Sequence, residues 1–452
     1  MNSNLPDINT CSISIIGLGY VGLPLALAFS NTNINYRNKE KINRKVIGFD
    51  INQNRINNLL RNIDETQETQ SNQLLNKKNI IFTSEVKLLS DSDVFIVTVP
   101  TPVDKANNPD LTYLKNACKI IGLAIKKQNK VKPNNKNVKK VIIFESTVFP
   151  GATEEFCAPI IEHFSCLKLN NEFFLGYSPE RINPGDKQHR LKDIIKITSG
   201  STKESALWID NLYSTIIKAG THKCGSIKVA EAAKVIENTQ RDLNIALINE
   251  LSIIFNKLNI DTFDVLEAAE TKWNFMPFKP GLVGGHCIGV DPYYLTFKAE
   301  QLDYYPQIIL AGRRINDSMA SWFADQLILN MSKNNIQIGR SNVLVMGLSF
   351  KENCPDIRNT KVVDMIKRLN EYNIKTFIYD PVVDKEEAKN TYSLEVLDNY
   401  PEDKNITAIV LAVAHNEFKA IDSKIWKNFI RKGIIIFDIK GILSKDIKCL
   451  RI

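Results

Sequence analysis

One uncharged stretch near the start of the chain limits its possible folds more than any other feature. Residues 11–29, CSISIIGLGYVGLPLALAF, carry no charged side chain and are long enough to resemble a membrane span. Three glycines and a proline lie in the middle of this stretch, and no basic segment precedes it. We therefore interpret it as a buried strand, a tight turn and the apolar start of a helix, and we expect no membrane segment.

Gly17, Gly19 and Gly22 have the spacing GxGxxG, directly after a strand-like run and before a helix-like run. This is the context of a dinucleotide-binding fingerprint. The first glycine permits the tight turn, the second lets a pyrophosphate approach the backbone, and the third allows close packing of helix and strand, with the phosphates at the helix N-terminus. Tyr20 and Val21 of the same turn are assigned to the cofactor site with them.

An acidic residue, Asp50, closes the next strand-like run, KVIGFD. A carboxylate there can accept from both ribose hydroxyls and disfavours a 2′-phosphate, so we expect NAD rather than NADP. Asp50 lies 28 positions after Gly22 (50 − 22) instead of about 20 after the fingerprint, and a polar insertion at 31–45 accounts for the surplus. Arg55 is assigned to the adenosine side, with an exposed surface arginine as the equal alternative.

Small polar residues follow two further strand-like runs, at VPTP (99–102) and ESTVFPG (145–151). Ligands of doubly wound sheets bind at the carboxyl ends of the strands, where these residues are expected to lie. Pro100, Thr101 and Thr147 are therefore added to the cofactor site. Two ordinary proline turns are the alternative.

Strand-like and helical runs alternate in the first and last parts of the chain, whereas residues 204–335 are mainly helical and include one long helix. The pattern predicts an α/β fold with two doubly wound, Rossmann-like domains joined by a helical central domain. We place a NAD-binding domain at 1–205, a central and dimerisation domain carrying catalytic residues at 206–335, and a second Rossmann-like domain at 336–452.

Composition excludes some classes of protein. The formal net charge of +8 suits an anionic small molecule or a nucleic acid, but the lysine-rich segments lack interleaved aromatics, which argues against a nucleic-acid partner. The eight cysteines form no CxxC pair, so we expect no disulfide framework, no metal site, and reduced thiols in a cytoplasmic protein.

One cysteine, Cys287, lies in a stretch dense in glycine, GLVGGHCIGVD (281–291), beside an imidazole and four positions before a carboxylate. A cysteine is more often a small buried hydrophobe than a nucleophile. The neighbouring glycines would leave this thiol open to a substrate, which favours the nucleophile.

Four long motifs resemble the UDP-glucose/GDP-mannose dehydrogenase family, in the same order over nearly the whole chain: SPERINPGD, AEAAKVIENTQRDLNIALINEL, GGHCIGVDPYYL and FKENCPDIRNT. The first and third are most similar to the UDP-N-acetylglucosamine 6-dehydrogenases of bacterial surface polysaccharides, such as capsule or O-antigen. The resemblance implies a four-electron oxidation of a C6 alcohol to the uronic acid by two NAD molecules in turn. It passes through a thiohemiacetal and a thioester on Cys287.

The same resemblance implies the other catalytic roles. Lys234 and Asn238, four apart on the predicted long helix, stabilise negative charge on the C6 oxygen, and Asp291 orients or activates groups around the thiol. Glu180 and Thr147 hold a water for proton transfer and thioester hydrolysis, with the identity of the base left open. The plain alternatives are an exposed polar pair on the helix and a carboxylate that caps a turn.

A UDP-sugar site is implied as well. Lys351 and Arg358 would grip the UDP, because their charged donors suit phosphate. Arg313 matches an arginine that reaches a neighbouring subunit's substrate, which implies a homodimer or higher homo-oligomer built on the central helices. The complete set of expected substrate-binding residues is Glu180, Arg181, Lys234, Asn238, Phe278, Gly281, Gly284, Arg313, Lys351 and Arg358.

The identity of the sugar stays open among UDP-N-acetylglucosamine, UDP-N-acetylgalactosamine, UDP-N-acetylmannosamine and UDP-glucose. His286 is often serine in the UDP-glucose enzymes, Val290 replaces a lysine that contacts the cofactor, and Pro184 stands where some of them carry a second acidic residue. These differences favour an N-acetylhexosamine. A regulator that binds NAD and nucleotide sugar without turnover is the remaining alternative, and the intact catalytic set argues against it.

Overall fold

The computed structural model describes residues 4–66, 69, 71–75, 78–104, 106–131, 138–182, 190–285, 288–399 and 405–452. Cys287, His286 and Pro184 therefore lie outside the described residues. The chain forms two compact units, Met1–Glu237 with Tyr293–Leu302 and Asn238–Pro292 with Asp303–Ile452. The predicted three-domain boundaries at 205 and 335 stay predictions.

An eight-stranded sheet forms the framework of the first unit. Its strands are β1 (Ser12–Ile16), β2 (Lys45–Phe49), β3 (Ile80–Thr83), β4 (Val94–Val97), β5 (Lys140–Phe144), β6 (Phe173–Tyr177), β7 (Lys196–Gly200) and β8 (Thr221–Lys223). Their order is β3-β2-β1-β4-β5-β6-β7-β8, and neighbours are parallel except β6 and β7. The four strands predicted in this region correspond to β1, β2, β4 and β5.

Helices pack on this sheet because its strands are apolar on both faces. Ile13, Val94 and Val141 of neighbouring strands are fully buried, in one core with Leu23 and Leu212. The helices are α1 (Gly22–Asn31), α2 (Gln53–Leu60), α3 (Ser71–Leu75), a 3-10 helix (Val86–Asp91), α4 (Thr112–Val131), a π-helical segment (Ala152–Cys157), α5 (Ala158–Ser165) and α6 (Lys203–Ser214).

The long helix expected in the central region is present as α7 (Ile227–Leu258), with 32 residues. At 1.5 Å per residue its length is about 48 Å. It begins in the first unit and ends in the second. Within the described part of the chain, no helix is long and apolar enough to span a membrane. Residues 11–29 instead form β1, the glycine loop and most of α1.

The second unit contains a five-stranded parallel sheet in the order β11-β10-β9-β12-β13, which confirms a second doubly wound fold. Phe323, Val345 and Phe437 are fully buried in its core. The strands are β9 (Asn342–Met346), β10 (Lys375–Tyr379), β11 (Val396–Leu397), β12 (Ala408–Leu411) and β13 (Ile435–Asp438). The remaining helices are α8 (Thr262–Glu270), α9 (Asp291–Glu300), α10 (Gln307–Lys333), a 3-10 helix (Ile338–Arg340), α11 (Val362–Glu371), α12 (Lys385–Tyr392), α13 (Asn416–Lys419) and α14 (Ser423–Arg431).

Candidate active site

The three fingerprint glycines connect β1 to α1, and each meets a different constraint. Gly17 has a φ of +95°, which favours glycine. A Cβ on Gly22, the first residue of α1, would lie 1.9 Å from the carbonyl oxygen of Gly17. A Cβ on Gly19 would meet no atom of the described residues within 4 Å. Packing inside the chain therefore does not require glycine at position 19, whereas close approach of a pyrophosphate does. Tyr20 and Val21 complete the turn.

Asp50 and Arg55 hold the glycine loop at the residue between its first two glycines. The Asp50 carboxylate accepts the N–H of Leu18 at 2.8 Å, and Arg55 Nε donates to the Leu18 carbonyl at 2.9 Å. The Arg55 guanidinium also pairs with Asp64 at 2.8 Å, and Arg55 is only 6% exposed. Arg55 is therefore not the exposed surface arginine of the alternative interpretation. A direct contact between Arg55 and the adenosine stays a prediction.

The two segments expected at the carboxyl ends of β4 and β5 are hydrogen-bonded to each other. Ser146 Oγ donates to the Val99 carbonyl at 2.6 Å, and Thr101 Oγ1 donates to the Thr147 carbonyl at 2.7 Å. Tyr294 OH donates to the Thr101 carbonyl at 2.8 Å. The structure therefore brings Pro100, Thr101 and Thr147 to one edge of the sheet, where ligands of doubly wound folds bind.

Glu180 belongs to a buried ionic cluster at the same end of the sheet. Lys196 Nζ lies 2.6 Å from Glu145 Oε2 and 3.7 Å from Glu180 Oε2. Burial raises the pKa of Glu145, while the adjacent Lys196 opposes that rise. Glu180 Oε1 accepts the backbone N–H groups of Arg181 and Ile182 at 2.7 and 2.6 Å. These contacts fix the Glu180 carboxyl group in position.

Glu145 and Lys196 were not identified from the sequence. The available signal was a charged residue at the end of an apolar strand in IIFEST and at the start of another in IIKITS. A charge inside such runs is seldom fully buried unless it is paired. Arg181, in contrast, was predicted, and its guanidinium pairs with Glu237 at 2.8 Å and donates to the Ile195 carbonyl at 2.9 Å.

Glu231, also unpredicted, joins the start of α7 to the turn after β5. Its carboxylate accepts the N–H of Gly151 at 2.5 Å and of Thr153 at 2.9 Å. These donors belong to the first turn of the π-helical segment, where backbone N–H groups lack partners within the helix. Burial raises the pKa of Glu231 to about 7.

The second unit brings Asn238 and Asp291 together. Asn238 Nδ2 donates to Asp291 Oδ2 at 2.6 Å, and the two residues are 8% and 2% exposed. Asp291 is the first residue of α9, four positions after Cys287. Lys234, one turn before Asn238 on α7, is 9% exposed and forms no hydrogen bond or ion pair with a described residue. An ammonium group in that state is available to a ligand.

The glycine stretch before Cys287 packs closely against the C-terminal part of its unit. A Cβ on Gly284 would lie 2.7 Å from the Asn359 carbonyl oxygen, and a Cβ on Gly285 would lie 2.8 Å from the Phe350 ring. Asn249 bonds to both the N–H and the carbonyl of Gly281, at 2.8 and 3.0 Å. Glycine is needed here so that the backbone can lie against these groups.

An open pocket lies beside this stretch. Gly284, Phe350 and Lys351 line it, together with Lys440, whose pKa is lowered by burial. Lys440 was not singled out in the sequence, although it follows a buried strand in FDIKG. The predicted Arg358 is exposed and pairs with Asp356 at 2.5 Å. Phe278 is partly exposed, and its N–H donates to the Met276 carbonyl at 2.8 Å.

Arg313 lies inside its own unit. It is 2% exposed, and its guanidinium pairs with Asp242 at 2.7 Å and with Asp317 at 2.6 Å. Asp242 lies on α7 and Asp317 lies on α10 of the same chain. The contact expected between Arg313 and a neighbouring subunit's substrate stays a prediction.

Three family models match the chain in sequence. They describe the NAD binding domain (residues 11–217), the central domain (228–318) and the UDP binding domain (344–445) of the UDP-glucose/GDP-mannose dehydrogenase family. The NAD binding domain contains both the glycine loop and Asp50, so NAD is the cofactor. The UDP binding domain contains Lys351, Phe350 and the lysine at position 440.

Characterised relatives align over almost their full lengths. A UDP-N-acetyl-D-glucosamine 6-dehydrogenase of Pseudomonas aeruginosa is 52% identical over 97% of this chain and 99% of its own. A protein of the same name from Salmonella typhi is 49% identical over 97% and 98%. The solved UDP-D-ManNAc dehydrogenase of Pyrococcus horikoshii is 28% identical and covers 96% of both chains with a TM-score of 0.79. The chain therefore belongs to the UDP-glucose/GDP-mannose dehydrogenase family and is an NAD-dependent oxidoreductase.

Proposed function

We propose that this protein oxidises the C6 alcohol of UDP-N-acetyl-D-glucosamine to the uronic acid. The balanced reaction consumes one alcohol, one water and two NAD⁺, and it yields one carboxylate, two NADH and three protons. The observation that carries the proposal is the bond between Asn238 and Asp291, 2.6 Å long and buried. It links the long helix to the residue four positions after Cys287, as a site built around that thiol requires.

Cys287 is the proposed covalent nucleophile. Its thiolate adds to the C6 aldehyde formed in the first oxidation, which gives a thiohemiacetal whose C6 hydrogen is removed in the second oxidation. The resulting thioester is hydrolysed by water, so the C–S bond breaks and the thiol is regenerated. NAD, when bound, accepts the two electrons of each oxidation, and the residues of the chain bind, orient and move protons.

Lys234 and Asn238 stabilise the oxygen at C6 while negative charge develops on it. A buried ammonium and an amide N–H are donors that lose little energy in reorganisation during the reaction. The carboxylate of Asp291 holds the amide of Asn238 in one orientation, because an ionised carboxylate can only accept. Asp291 therefore acts on the C6 oxygen through Asn238 in this proposal.

Glu180 and Thr147 are proposed to hold the hydrolytic water. The Glu180 carboxyl group is 7% exposed, and one of its oxygens is occupied by two backbone N–H groups. The other oxygen lies 3.7 Å from Lys196 and has no hydrogen-bond partner within the described ranges. That oxygen is available to a water molecule, whereas the first is not.

The pocket beside Gly284 is proposed to hold the UDP. Lys351 and Lys440 line it and can donate to a diphosphate, whereas Lys361, also in its lining, is already paired with Asp317 at 3.1 Å. Arg358 is exposed and can exchange its pairing with Asp356 for a phosphate group, since a carboxylate and a phosphate are both bidentate acceptors. A Cβ at Gly281 would meet Lys440 and one at Gly284 would meet Asn359, so glycine at these positions lets the backbone lie close to the wall of the pocket.

The choice of UDP-N-acetyl-D-glucosamine rests on the two relatives that are 52% and 49% identical to this chain and bear that substrate in their names. We further propose that the product is used for a cell-surface polysaccharide and that the enzyme works in the cytoplasm. The alternatives are the same oxidation of UDP-N-acetylgalactosamine, UDP-N-acetylmannosamine or UDP-glucose.

A homodimer, or a larger homo-oligomer, is proposed to form through the central helices. Leu247, Ile254 and Leu258 on α7 are 53%, 45% and 59% exposed, at spacings of seven and four residues that place them on one helix face. Trp273 is 93% exposed. Exposed apolar side chains arranged in this way are typical of helix-to-helix interfaces. Sedimentation of the purified protein tests the proposal, and a monomer at micromolar concentration would contradict it.

The decisive experiment mixes the purified protein and NAD with each of the four UDP-sugars and follows NADH. We expect two NADH per UDP-N-acetyl-D-glucosamine and much slower turnover of the others. Cys287→Ser should stop formation of the acid, because a hydroxyl is a poorer nucleophile than a thiolate, whereas Cys166→Ser, an exposed control cysteine, should leave it unchanged. No NADH with any sugar would refute the enzyme proposal, and acid formation by Cys287→Ser would refute the thioester route.

A further inference from the structure

A hydrogen-bond network of buried polar side chains extends from between α7 and α10 to the glycine stretch. Asp242 and Asn249 lie on α7, and Arg313 and Asn316 lie on α10. Arg313 is 2% exposed, and the other three are fully buried. The network ends at the backbone of Gly281, the first residue of GLVGGHC. Burial of polar side chains is costly unless they are hydrogen-bonded. Each of the four makes at least one such bond, although Asp242 Oδ2 accepts from no described residue.

The hydrogen bonds fix the orientation of both amides. Asn316 Nδ2 donates to the backbone carbonyl of Asp242 at 3.0 Å and to its Oδ1 at 2.7 Å, both of which can only accept. Asn316 Oδ1 therefore faces the other way, where it accepts Asn249 Nδ2 at 2.8 Å. This leaves Asn249 Oδ1 to accept the Gly281 N–H at 2.8 Å, while its Nδ2 also donates to the Gly281 carbonyl at 3.0 Å.

Arg313 lies at the other end of the network. Its Nη1 donates to Asp242 Oδ1 at 2.7 Å, the same oxygen that accepts Asn316. Burial raises the pKa of Asp242, and the Arg313 guanidinium opposes that rise. The arginine therefore favours the ionised carboxylate, which is the form that accepts from both donors.

One amide thus holds both backbone polar groups of a residue six positions before Cys287. Gly284 and Gly285 lie so close to Asn359 and Phe350 that a Cβ at either position would collide with them. A shift at Gly281 would consequently disturb these close contacts.

We propose that Asn249 is a positioning residue for the oxidation, and that Asn316 sets its orientation. Asn249 keeps the backbone at Gly281 in the conformation that the glycine stretch requires to present Cys287 and the sugar nucleotide to each other. This inference rests on the proposed function for its effect on turnover. Its structural part, the protection of the Gly281 N–H by Asn249, is independent of any activity.

The test compares Asn249→Ala and Asn316→Ala, singly and together, with Asn244→Ala as the matched control. Asn244 lies on the same helix, but among the described residues its side chain donates only to the Gln240 carbonyl of that helix. We expect kcat to fall about 10- to 100-fold in each of the two single variants, with KM for NAD unchanged, as a displacement near 1 Å can cause. The control should keep the wild-type kcat.

The double variant separates positioning from general weakening. Because Asn316 acts through Asn249, removing it should cost almost nothing further in kcat once Asn249 is alanine. Independent losses in kcat that multiply in the double variant would overturn the proposed order. An unchanged kcat in Asn249→Ala would overturn the positioning role, whereas a wild-type protein without turnover would overturn the proposed function instead.

Hydrogen exchange provides a second measurement that needs no turnover. In the wild type, the Gly281 N–H should exchange slowly, and in Asn316→Ala it should exchange at least tenfold faster although Gly281 itself is unaltered. Should Asn249→Ala fail to fold, Asn249→Ser takes its place in both experiments. Equal exchange at Gly281 in the wild type and Asn316→Ala would contradict the inference whatever the kinetics show.

Discussion

Replacing Gly22 by alanine should destabilise the first unit, whereas the same change at Gly19 should weaken NAD binding alone. A Cβ at position 22 would lie 1.9 Å from Gly17 O and 2.5 Å from Thr98 Oγ1, and real Cβ atoms essentially never come closer than 3.0 Å to a heavy atom. The backbone must therefore move by about 1 Å (3.0 − 1.9), since a carbonyl cannot rotate aside. Such overpacking costs about 1–3 kcal/mol, and contact with backbone places this site at the upper end.

Thermal unfolding with and without NAD measures both effects. A loss of about 3 kcal/mol lowers the Tm by roughly 6–12 °C, since each kcal/mol shifts the Tm by about 2–4 °C in domains of 150–250 residues. Saturation with NAD at 100 times its Kd should stabilise the wild type by about 2.7 kcal/mol. Gly19→Ala should unfold at the wild-type Tm without NAD and show little of this stabilisation.

Two results would refute this assignment of the glycines. An unchanged Tm for Gly22→Ala would mean that the helix start yields to a Cβ without cost. A Tm for Gly19→Ala that is as low as that of Gly22→Ala, in the absence of NAD, would mean that position 19 is limited by packing within the protein rather than by the cofactor.

Three further predictions concern charged side chains. In the folded protein Glu231 keeps its proton up to about pH 7, whereas in the unfolded chain it releases the proton near pH 4.5. The free energy of unfolding should therefore fall by about 3 kcal/mol between these pH values in the wild type and not in Glu231→Ala. Urea titrations across this pH range measure the change, and an equal change in both proteins would contradict the prediction. Arg55→Met should cost about 3 kcal/mol because it leaves the buried Asp64 carboxylate without its cationic partner. The double variant with Asp64→Asn, whose amide oxygen still accepts from Thr66 but carries no charge, should recover part of that loss in the same assay. Asp291→Ala should lower kcat about 100-fold with little change in the affinity for UDP-sugar, because it releases the Asn238 amide. NADH kinetics measure kcat and calorimetric titration measures the affinity, and a wild-type kcat would exclude the role of Asp291.

The sequence predicted the fold where apolar runs are long and unbroken. The strands β1, β2, β4 and β5 and the sheet of the second unit follow such runs, which are typical of parallel strands buried on both faces. Strands β3 (IIFT), β6 (FFLGY), β7 (KITSG) and β8 (THK) were missed. Strand β7 is mostly polar and β8 has only three residues, whereas β3 and β6 are mainly apolar and were overlooked. The segment 126–140 is rich in Asn and Lys, a composition that predicts an exposed loop. Its residues 126–131 instead complete α4, and Gln128 is 5% exposed there. A polar side chain buried on a helix gives no periodic signal.

The candidate site was predictable only as far as single motifs reach. The glycine loop, Asp50 and the polar ends of β4 and β5 are local in sequence, so spacing was enough to place them. The pairing of Asn238 with Asp291 spans 53 positions, and the contact of Asn249 with Asn316 spans 67. No pattern along the chain indicates such contacts. The polar residues of α7 therefore resembled an exposed helix face until their partners on other elements were known.

The two oriented amides between α7 and α10 also restrict how this sequence can diverge. Exchanging either Asn249 or Asn316 alone leaves a buried donor or acceptor without a partner, which costs about 1–3 kcal/mol. Neutral drift through single substitutions is therefore expected to be slow at these two positions. An apolar pair in their place would still leave the N–H and carbonyl of Gly281 without the partners that Asn249 supplies, so descendants are expected to retain both amides together.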